Sequence, residues 1–503
     1  MSSGAIQRCQ YLYFAFKTFQ PMNLSKNFLH TSGRPVLLAQ PTCMTHNHLL
    51  KLGEITPGLT SSVYHERRMK LVEKIVKNSP SDTERAHLIV IPSSSVLYMT
   101  EKIPYRFRQN SDFLYLSGFK EPDSILVIDT TTKKFPDFNT TMFIPKQTSY
   151  SEQWEGCKMN LKTAVEFLKI DRALYMFEFE NYLQSFLKSD KKFSVWYDYL
   201  NVSPFQVHQT MRDFMAVHTG NVSMESPRSL LHRLRLIKCD AEIELMRKTC
   251  RIAAESMKEV MRFSHVNRQE SHLDAKMEYE CRLRGADFPS FPPVVAGGDR
   301  ANTIHYIDNN QIISENHLVL MDAGCECHGY SSDLTRTWPV SGKFSGPQKE
   351  LYEMLLSVQE QLITLCKSKL SLDHLFKIMC KKLGKGLGEL RIIPENFTEV
   401  EASEAAFAFC PHHVSHYLGM DVHDTSTISR GITLQPGMVI TIEPGVYISR
   451  NNMTVPDEYR GLCIRIEDDI LITEDGCEVL TRDCPKSVEE IEELFKDQTI
   501  VQL

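Results

Sequence analysis

Apolar and polar residues follow one another in this chain with two different periods, and each period predicts a different kind of element. In DAEIELMRKTCRIAAESMKEVMRF the apolar positions recur every three or four residues, at Ile243, Met246, Cys250, Ala253, Met257 and Val260. This spacing predicts an amphipathic helix with acids in its first turn. A second long helix is predicted over GPQKELYEMLLSVQEQLITLC. A terminal helix is predicted over SVEEIEELFKD, with Ser487 and Glu490 forming a capping box.

Short apolar runs predict strands, and some of them stand next to an acid. LIVIPSS, LYLSGF and SILVIDT predict strands in the first half, and residues 151–200 mix helix and strand signals as in an α/β layer. In the second half LVLMD ends at Asp322, and TRTWPV follows Asp333. The intervening GCECHGYSS contains two glycines, so a hairpin is predicted that places Asp322 and Asp333 on neighbouring strands.

Two later strands also place an acid at a fixed position on one face. Thr441 and Glu443 share a face at period two, and Arg465 and Glu467 do the same. Burying a carboxylate is costly unless it meets a metal or another partner. Any one of these acids taken alone is more often a strand-end or salt-bridge residue. Their common order along the chain favours a shared site.

The candidate ligand set combines four carboxylates and one imidazole: Asp322, Asp333, His416, Glu443 and Glu467. Oxygen ligands suit Mn²⁺, Mg²⁺ or Ca²⁺, and an added imidazole moves the preference toward Mn²⁺, Fe²⁺, Co²⁺ or Zn²⁺. Two such cations roughly 3.5–4 Å apart can activate water at neutral pH and stabilise a tetrahedral intermediate. The ligand set therefore predicts a hydrolase with two divalent metal ions.

Five segments of the second half resemble one known family. LVLMDAG, SSDLTRT, HHVSHYLGMDVHD, TIEPGVY and IRIEDD are similar to metallopeptidases of the pita-bread fold, within them the aminopeptidase P group, which removes an N-terminal residue before proline. In the first half YRFRQNSDFLYLSGFKEPDS resembles the N-terminal domain of the same group. The resemblance implies an α/β (α+β) protein, with a creatinase/aminopeptidase P-like α/β domain at residues 55–228. A pita-bread catalytic domain with a C-terminal helix would follow at residues 229–503.

The resemblance also implies roles for individual residues. Asp322 would be a chelating ligand of one metal, Asp333 and Glu467 would bridge both metals, and His416 and Glu443 would bind the other. Glu443 would be the general base and acid, with His305 and His423 as further catalytic groups. The substrate would be bound by His305, His412, His423, Tyr447 and Arg465. Mn²⁺ is the expected metal, with Co²⁺, Fe²⁺ and Zn²⁺ as alternatives.

The N-terminal segment has the composition of a targeting sequence. Residues 1–53 contain no acid, since the first is Glu54, and the basic residues there are Arg8, Lys17, Lys26, Arg34 and Lys51. An acid-poor, basic and hydroxyl-rich N-terminus is typical of organellar transit peptides. Residues 1–54 are therefore predicted to be a mitochondrial transit peptide and flexible leader, cleaved between about residues 25 and 55. A later start, such as Met44, would give a cytosolic form.

Charge and composition limit the partners. The net charge of −6 and the pI of about 6.3 give no basic surface for nucleic acid. No run reaches the roughly 18 apolar residues of a membrane span. The fourteen cysteines are scattered and favour free thiols. We expect peptide substrates that begin with Xaa-Pro, and a homodimer.

Three alternative functions stay open on the sequence. A prolidase would use the same ligands but cut only dipeptides. A methionine aminopeptidase would normally lack the first domain. A non-catalytic binding module would be expected to lose metal ligands, and all five are present here.

Overall fold

A computed structural model describes residues 40–78, 85–131, 135–187, 193–200, 204–216, 222–367 and 369–496 of the chain. Most of the predicted leader, residues 1–39, lies outside the described residues. Its last part differs from the prediction of a flexible leader up to residue 54, because Gln40 is buried. The Gln40 side-chain amide donates to the carbonyl oxygens of Ile55 and Gly118, at 3.2 and 2.8 Å. The packed part of the chain therefore begins no later than Gln40.

The first half of the chain is built on one mixed sheet, which has six strands within the described ranges. In spatial order they are Val222–Glu225, Phe193–Trp196, Ala86–Pro92, Ile125–Asp129, Asn139–Ile144 and Arg172–Tyr175. Because side chains alternate along a strand, Leu88 and Val90 enter one apolar core while Ile89 and Ile91 enter another. The strand is buried on both faces, which explains the continuous apolar run LIVIP.

Helices cover both faces of this sheet. The core on one face includes the helices Ser61–Asn78, Ser111–Ser117 and Leu161–Leu168. The core on the other face includes the helices Phe179–Leu187 and Phe205–Ala216. A short helix, Ser149–Glu155, has no buried residue. Two short hairpins complete this half, Glu54–Thr56 with Leu59–Thr60 and Tyr98–Thr100 with Ile103–Pro104.

LYLSGF is mostly helical, and its prediction as a strand is wrong. It forms the end of the helix Ser111–Ser117, whose N-terminus is capped by Asn110 accepting from Phe113 N at 2.9 Å. Gly118 ends the helix in the left-handed conformation, with φ of 67°. All seven helical residues are buried. A helix buried all round has no polar face, so a short apolar run cannot be told from a strand by periodicity.

The chain around the predicted domain boundary forms regular elements. It begins with the edge strand Val222–Glu225 and continues, after Pro227, as the helix Arg228–Arg235. The predicted boundary between residues 228 and 229 thus falls at the start of this helix. The boundary itself stays a prediction.

The second half of the chain places helices around small antiparallel sheets. The helices are Asp240–Ser264, Glu270–Leu283, Gly346–Thr364, Leu372–Glu389, Glu399–Phe409 and Val488–Leu494. The three that periodicity predicts are present. Of the predicted apolar stripe, Ile243 is half-buried and the rest is fully buried. The capping box of Ser487 and Glu490 is confirmed by hydrogen bonds in both directions, each of 3.1 Å.

The strands of the second half form the frame of the candidate site. One three-stranded sheet consists of Val294–Gly297, Leu318–Asp322 and Thr335–Pro339. Another consists of Val439–Ile442, Asp468–Ile472 and Cys477–Val479. Shorter pairings join Gly445–Tyr447 with Cys463–Arg465, and Cys325–Cys327 with both Phe288–Pro289 and Tyr330–Ser331.

Within the described ranges no helix is both long enough and apolar enough to cross a bilayer. The cysteines of these ranges are all free thiols, as predicted.

Candidate metal centre and substrate pocket

The two aspartates lie where the predicted hairpin puts them. Asp322 ends the strand Leu318–Asp322, whose partner strand begins with Thr335 directly opposite Asp322. The intervening chain folds back through a two-residue turn at His328 and Gly329, with φ of 55° and 87°. Two successive positive φ angles are typical of the tight turn that matches the twist of a hairpin. The turn therefore returns the chain so that Asp333 lies beside Asp322.

The other three predicted ligands come from three different segments. His416 is held against the strand Val439–Ile442, because its N–H donates to Thr441 Oγ1 at 3.1 Å and its carbonyl accepts from Thr441 N at 3.0 Å. Glu443 follows the end of the same strand, and its N–H donates to the Val414 carbonyl at 2.9 Å. Glu467 N donates to the Thr335 carbonyl at 3.1 Å. Backbone hydrogen bonds therefore bring all three toward the aspartates.

The ligand atoms converge on one buried point. His416 Nε2 is 3.3 Å from Asp333 Oδ2 and 3.6 Å from Glu443 Oε1. One ligand atom from each of Asp333, His416 and Glu467 lies within 4.8 Å of the other two. Asp322 Oδ1 is buried and finds no hydrogen-bond partner within the described ranges. A buried carboxylate oxygen left this way is costly unless a cation binds it. The donor set therefore fits hard divalent cations.

The electrostatics of the site favour the same interpretation. Burial, followed by repulsion from neighbouring carboxylates, raises the pKa of both Asp333 and Glu467 well above the ordinary range. Burial also raises the pKa of Glu443, although His416 and Arg465 oppose this. So many carboxylates can be ionised together only if positive charge is supplied among them. Metal ions would supply that charge and displace the protons.

Arg465 and Thr335 form hydrogen bonds to two of the candidate ligand carboxylates. The buried guanidinium of Arg465 donates to Asp322 Oδ2 at 2.6 Å, to Thr335 Oγ1 at 3.1 Å and to the Tyr447 hydroxyl at 2.7 Å. Thr335 Oγ1 in turn donates to Glu467 Oε2 at 2.6 Å. These contacts orient two of the predicted ligands, so Arg465 lies beside the carboxylates as its strand face predicted.

Two further buried residues support the backbone of the site. Arg336 Nη1 donates to the Glu467 carbonyl at 2.6 Å, and its Nη2 pairs with Asp468 Oδ1 at 2.8 Å. Asp469 Oδ2 accepts from Asp333 N at 3.1 Å, and burial raises the pKa of this carboxyl to about 7. The sequence analysis did not single out these residues, or Thr335. Period two could have indicated Thr335, because it lies two residues after Asp333 and begins the next strand.

The predicted histidines lie at different depths. His412 Nε2 is 2.9 Å from the Tyr447 hydroxyl, and His412 Nδ1 is 3.7 Å from Glu443 Oε2. Burial and then Arg465 lower the pKa of His412 to about 4. The exposed ring of His423 stands 4.5 Å from that of His416. Partial desolvation of the imidazole, followed by repulsion from His416 and His305, lowers the pKa of His423 to about 4.

His305 is exposed, in the loop that follows the turn Gly298–Asn302. Its charge contributes to the lowered pKa of both His412 and His423, which places it on their side of the metal site. The structure thus brings the ten predicted site residues to one region, with His305 and His423 at its solvent-facing rim.

A cavity of about 360 Å³ opens beside Tyr447. It is lined by Asn302, Ile304, Ala408, Phe409, Pro411, Tyr447, Ser449 and Asn452. Four of these eight residues are apolar, one is Tyr447 and three are polar. The cavity has the composition of a pocket for a small apolar group held next to the metal ligands. Ile304 and Phe409 were not predicted, because nothing in their local sequence places them near the acids.

Comparison with known proteins agrees with both halves. Residues 244–474 match "Metallopeptidase family M24", and residues 64–196 match "Aminopeptidase P, N-terminal domain". Xaa-Pro aminopeptidase 3 of Rattus norvegicus is 43% identical over 463 residues, which is 91% of this chain and 90% of the relative. The mitochondrial intermediate cleaving peptidase 55 of Arabidopsis thaliana is 40% identical, over 92% of this chain and 88% of the relative. Zinc-substituted aminopeptidase P of E. coli, solved with product, has a TM-score of 0.79 at 31% identity, over 87% of this chain and 98% of that one.

Proposed function

Because the chain belongs to metallopeptidase family M24, in its aminopeptidase P group, and is a metal-dependent Xaa-Pro aminopeptidase, we propose how its own residues perform that reaction. The observation that supports the proposal most directly is that ligand atoms of Asp333, His416 and Glu467 lie close together, with Asp322 and Glu443 beside them. These five residues would hold two divalent cations. Asp322 would chelate one, His416 and Glu443 would bind the other, and Asp333 and Glu467 would bridge them.

When bound, the cations supply Lewis-acid activation of water and of the scissile carbonyl. We propose Mn²⁺ as the native metal, since the ligand set is oxygen-rich with one imidazole. Asp333→Ala and Glu467→Ala should each lose metal and activity together, because a bridging carboxylate serves both ions. Retention of full activity by Glu467→Ala would show that the bridging assignment is wrong. Elemental analysis beside the rate assay separates metal loss from other damage.

Proton transfer would fall to Glu443. Its carboxylate lies beside His416 and His412, and burial raises its pKa. A carboxylate so placed can accept a proton from water and return it to a leaving group. It would take a proton from the attacking water and deliver it to the leaving proline nitrogen. His305 and His423, at the rim, would contact the substrate or its tetrahedral intermediate. His423→Ala should therefore retain metal but turn over more slowly.

Specificity for proline would come from the residues around Tyr447. An X–Pro amide has no N–H and has a fixed ring, so enzymes that recognise this N–H handle it poorly. Tyr447 receives hydrogen bonds from Arg465 and lies against His412, which fixes one wall of the cavity. We propose that this wall, with His412, His423 and Arg465, holds the proline ring. The acids nearby would attract the free N-terminal ammonium and restrict cleavage to one residue at a time.

The specificity test compares three substrates on the same enzyme: Xaa-Pro-Yaa, Xaa-Ala-Yaa and the dipeptide Xaa-Pro, each with and without added Mn²⁺. We expect cleavage of the first and little of the second. Equal rates on the alanine peptide would rule out the proline pocket. Cleavage of the dipeptide alone would favour the prolidase alternative.

We also propose that the protein acts in mitochondria. Support comes from the acid-free leader and from relatives named as mitochondrial. The buried hydrogen bonds of Gln40 narrow the predicted cleavage range, because a cut beyond Gln40 would remove them. Cleavage should therefore fall before Gln40. A fusion of residues 1–55 to a fluorescent reporter should enter mitochondria. A uniformly cytosolic reporter would contradict this. A second translation start at Met44 would be seen as a cytosolic fraction beside the mitochondrial one.

A homodimer is the proposed assembly. The hairpin Tyr98–Thr100 with Ile103–Pro104 presents apolar side chains to solvent: Leu97, Tyr98, Met99 and Ile103 are each at least 55% exposed. A contiguous exposed patch of this kind is typical of an interaction surface. Replacing Tyr98 and Ile103 by serine should give a monomer in light-scattering measurements. Leu52→Ser, at a separate exposed position, should not.

A further inference from the structure

The proposed substrate-contacting residue His423 lies in a short segment, Leu418–Thr425, that is anchored by charges. Asp421 and Asp424 flank His423, two residues before it and one after it. Both aspartates form ion pairs with the guanidinium of Arg235. Their partners include residues far away in the sequence, in the first half of the chain.

The first-half contacts come from the start of the helix Ser111–Ser117 and the residues before it. Arg108 Nη2 donates to the Met420 carbonyl at 2.8 Å and to Asp421 Oδ1 at 3.1 Å. Ser111 Oγ donates to the same Asp421 oxygen at 2.6 Å. The segment that presents His423 is therefore held directly by the domain that contains no proposed metal ligand.

Arg235 joins the two halves at the centre of this network. Its Nη1 donates to Asp112 Oδ1 at 2.7 Å, and its Nη2 donates to Asp421 Oδ2 at 2.6 Å and also to Asp424. Lys238 Nζ is 3.4 Å from the other Asp424 oxygen. Arg235, Lys238 and Asp424 are almost completely buried. A paired buried network has discrete geometry, and removing one member leaves an uncompensated charge.

The same elements also contact the hairpin between the two aspartate ligands. Arg108 Nε donates to Glu326 Oε2 at 2.6 Å. A Cβ added to Gly329, in the hairpin turn, would lie 2.9 Å from the Leu114 side chain of the helix. Ser331 N donates to the Gly419 carbonyl at 2.8 Å and so ties the hairpin to the His423 segment. Arg108 therefore contacts both the hairpin between the aspartates and the segment that carries His423.

The backbone of the segment is held in a conformation that it would not adopt alone. Thr425, directly after Asp424, has φ of 48°. This left-handed region is unfavourable for a β-branched residue. A Cβ on Gly419 would come within 2.3 Å of the Asp424 carboxylate, so the chain is closely packed around that aspartate. The position of His423 thus depends on its anchors.

We propose that Arg108 and Ser111 of the N-terminal domain, acting through Asp421, are positioning residues for His423. The domain then contributes to turnover as well as to stability, since displacing a group that contacts the substrate slows the reaction. The inference rests on the proposed role of His423.

The test is a double-mutant cycle on the full-length enzyme with an Xaa-Pro-Yaa peptide. Arg108 is 40% exposed and Arg235 only 3%, so Arg108→Ala is the milder change. Because Arg108→Ala leaves the buried Glu326 carboxylate unpaired, Glu326→Gln is made as a control for that loss alone. We expect Arg108→Ala to lower kcat by roughly tenfold to a hundredfold, with bound metal unchanged. In the His423→Ala background the same change should have little further effect, because both act through one group. Arg108→Lys should recover part of the rate.

A matched control is available two residues away. Arg106 also reaches across to the second half, where its Nη1 lies 3.2 Å from Glu278, but both side chains are about half exposed. Arg106→Ala should leave kcat unchanged. Ser111→Ala, which removes a single hydrogen bond, should show a smaller loss that is again absent without His423.

The outcomes distinguish the two proposals. If His423→Ala alone turned over like the parent enzyme, the proposed role of His423 would be wrong. If His423→Ala lost rate but the loss from Arg108→Ala multiplied with it, the positioning inference would be overturned. Loss of metal in Arg108→Ala would also overturn it.

Discussion

At the scale of single residues, Arg465 links the proposed metal ligands to the proposed substrate pocket. Its guanidinium reaches Asp322, Thr335 and the Tyr447 hydroxyl, each through a different nitrogen. A planar fork can hold three acceptors in fixed directions, whereas a lysine ammonium has the charge but not the geometry. The sequence predicted only that Arg465 shares a strand face with Glu467. In the structure its guanidinium contacts Asp322 and Tyr447.

We predict that Arg465→Lys lowers metal affinity or kcat/KM by roughly tenfold to a hundredfold, because the residues that orient metal ligands have effects of this size. Titration of the metal-free enzyme with Mn²⁺, followed by rate assays at saturating metal, measures the two losses separately. Arg460→Lys is a suitable control, since Arg460 bonds to the Val455 carbonyl and to the exposed Asp457. A variant with parent-like values for both quantities would contradict the orienting role.

At the scale of elements, the ends of helices decide where buried segments turn. Gly118 and Gly156 both end short helices with positive φ, 67° and 83°. Their surroundings differ. A Cβ on Gly118 would lie 2.7 Å from both Ile55 and Tyr64, whereas one on Gly156 would have no atom within 4 Å. The backbone conformations differ as well, since Gly118 has ψ of 7° and is left-handed, whereas Gly156 has ψ of 177°, in a region that is essentially restricted to glycine.

Gly156→Ala should destabilise the protein by about 1–3 kcal/mol, from backbone strain alone. Gly118→Ala should cost about 3 kcal/mol or more, because overlap with Ile55 and Tyr64 adds to the strain of the left-handed backbone. Shifts of the urea unfolding midpoint measure both losses. A loss for Gly118→Ala of only about 1 kcal/mol, which the left-handed backbone alone would cause, would mean that the space around Gly118 adapts.

At the scale of the whole molecule, the proposed metal centre joins segments that span much of the second half of the chain. Asp322 and Glu467 are 145 residues apart, yet both are oriented by Thr335 and Arg465. Without cations, the crowded carboxylates raise the pKa of Asp333 and Glu467. A carboxyl with a raised folded-state pKa stabilises the fold below its unfolded pKa of about 4, and this contribution is lost as the pH rises through the folded value.

Removal of metal should therefore destabilise the protein more at high pH than at low pH. When the pH is below the raised pKa values, bound protons neutralise the carboxylates of the site. When the pH is above them, only metal cations can do so, and metal binding requires deprotonated ligands. The difference in melting temperature between Mn²⁺-loaded and chelator-treated enzyme should grow from pH 5 to pH 8. In metal-free Asp333→Asn the repulsion is reduced, so its melting temperature should fall less between pH 5 and pH 8 than that of the metal-free parent enzyme. A difference that stays constant over this range would contradict the prediction.

Local sequence was sufficient for elements whose pattern has a polar side. The helix Asp240–Ser264 and the helix Gly346–Thr364 each have one wet and one buried face, so apolar spacing predicted them. The hairpin after Asp322 was predictable because its glycine-containing turn has few alternative conformations. The order of acids and His416 was likewise sufficient to identify a candidate ligand set, since the chemistry of hard cations limits which residues can bind them.

Only the tertiary structure decided what depends on distant segments. Helix or strand could not be decided for LYLSGF, because burial on every side removes the periodicity that separates the two. No local pattern could reveal that Arg108 contacts Asp421, 313 residues later, or that Thr335 orients Glu467. Such contacts depend on how two folded surfaces meet, whereas spacing along the chain reports only which residues share a face of one element.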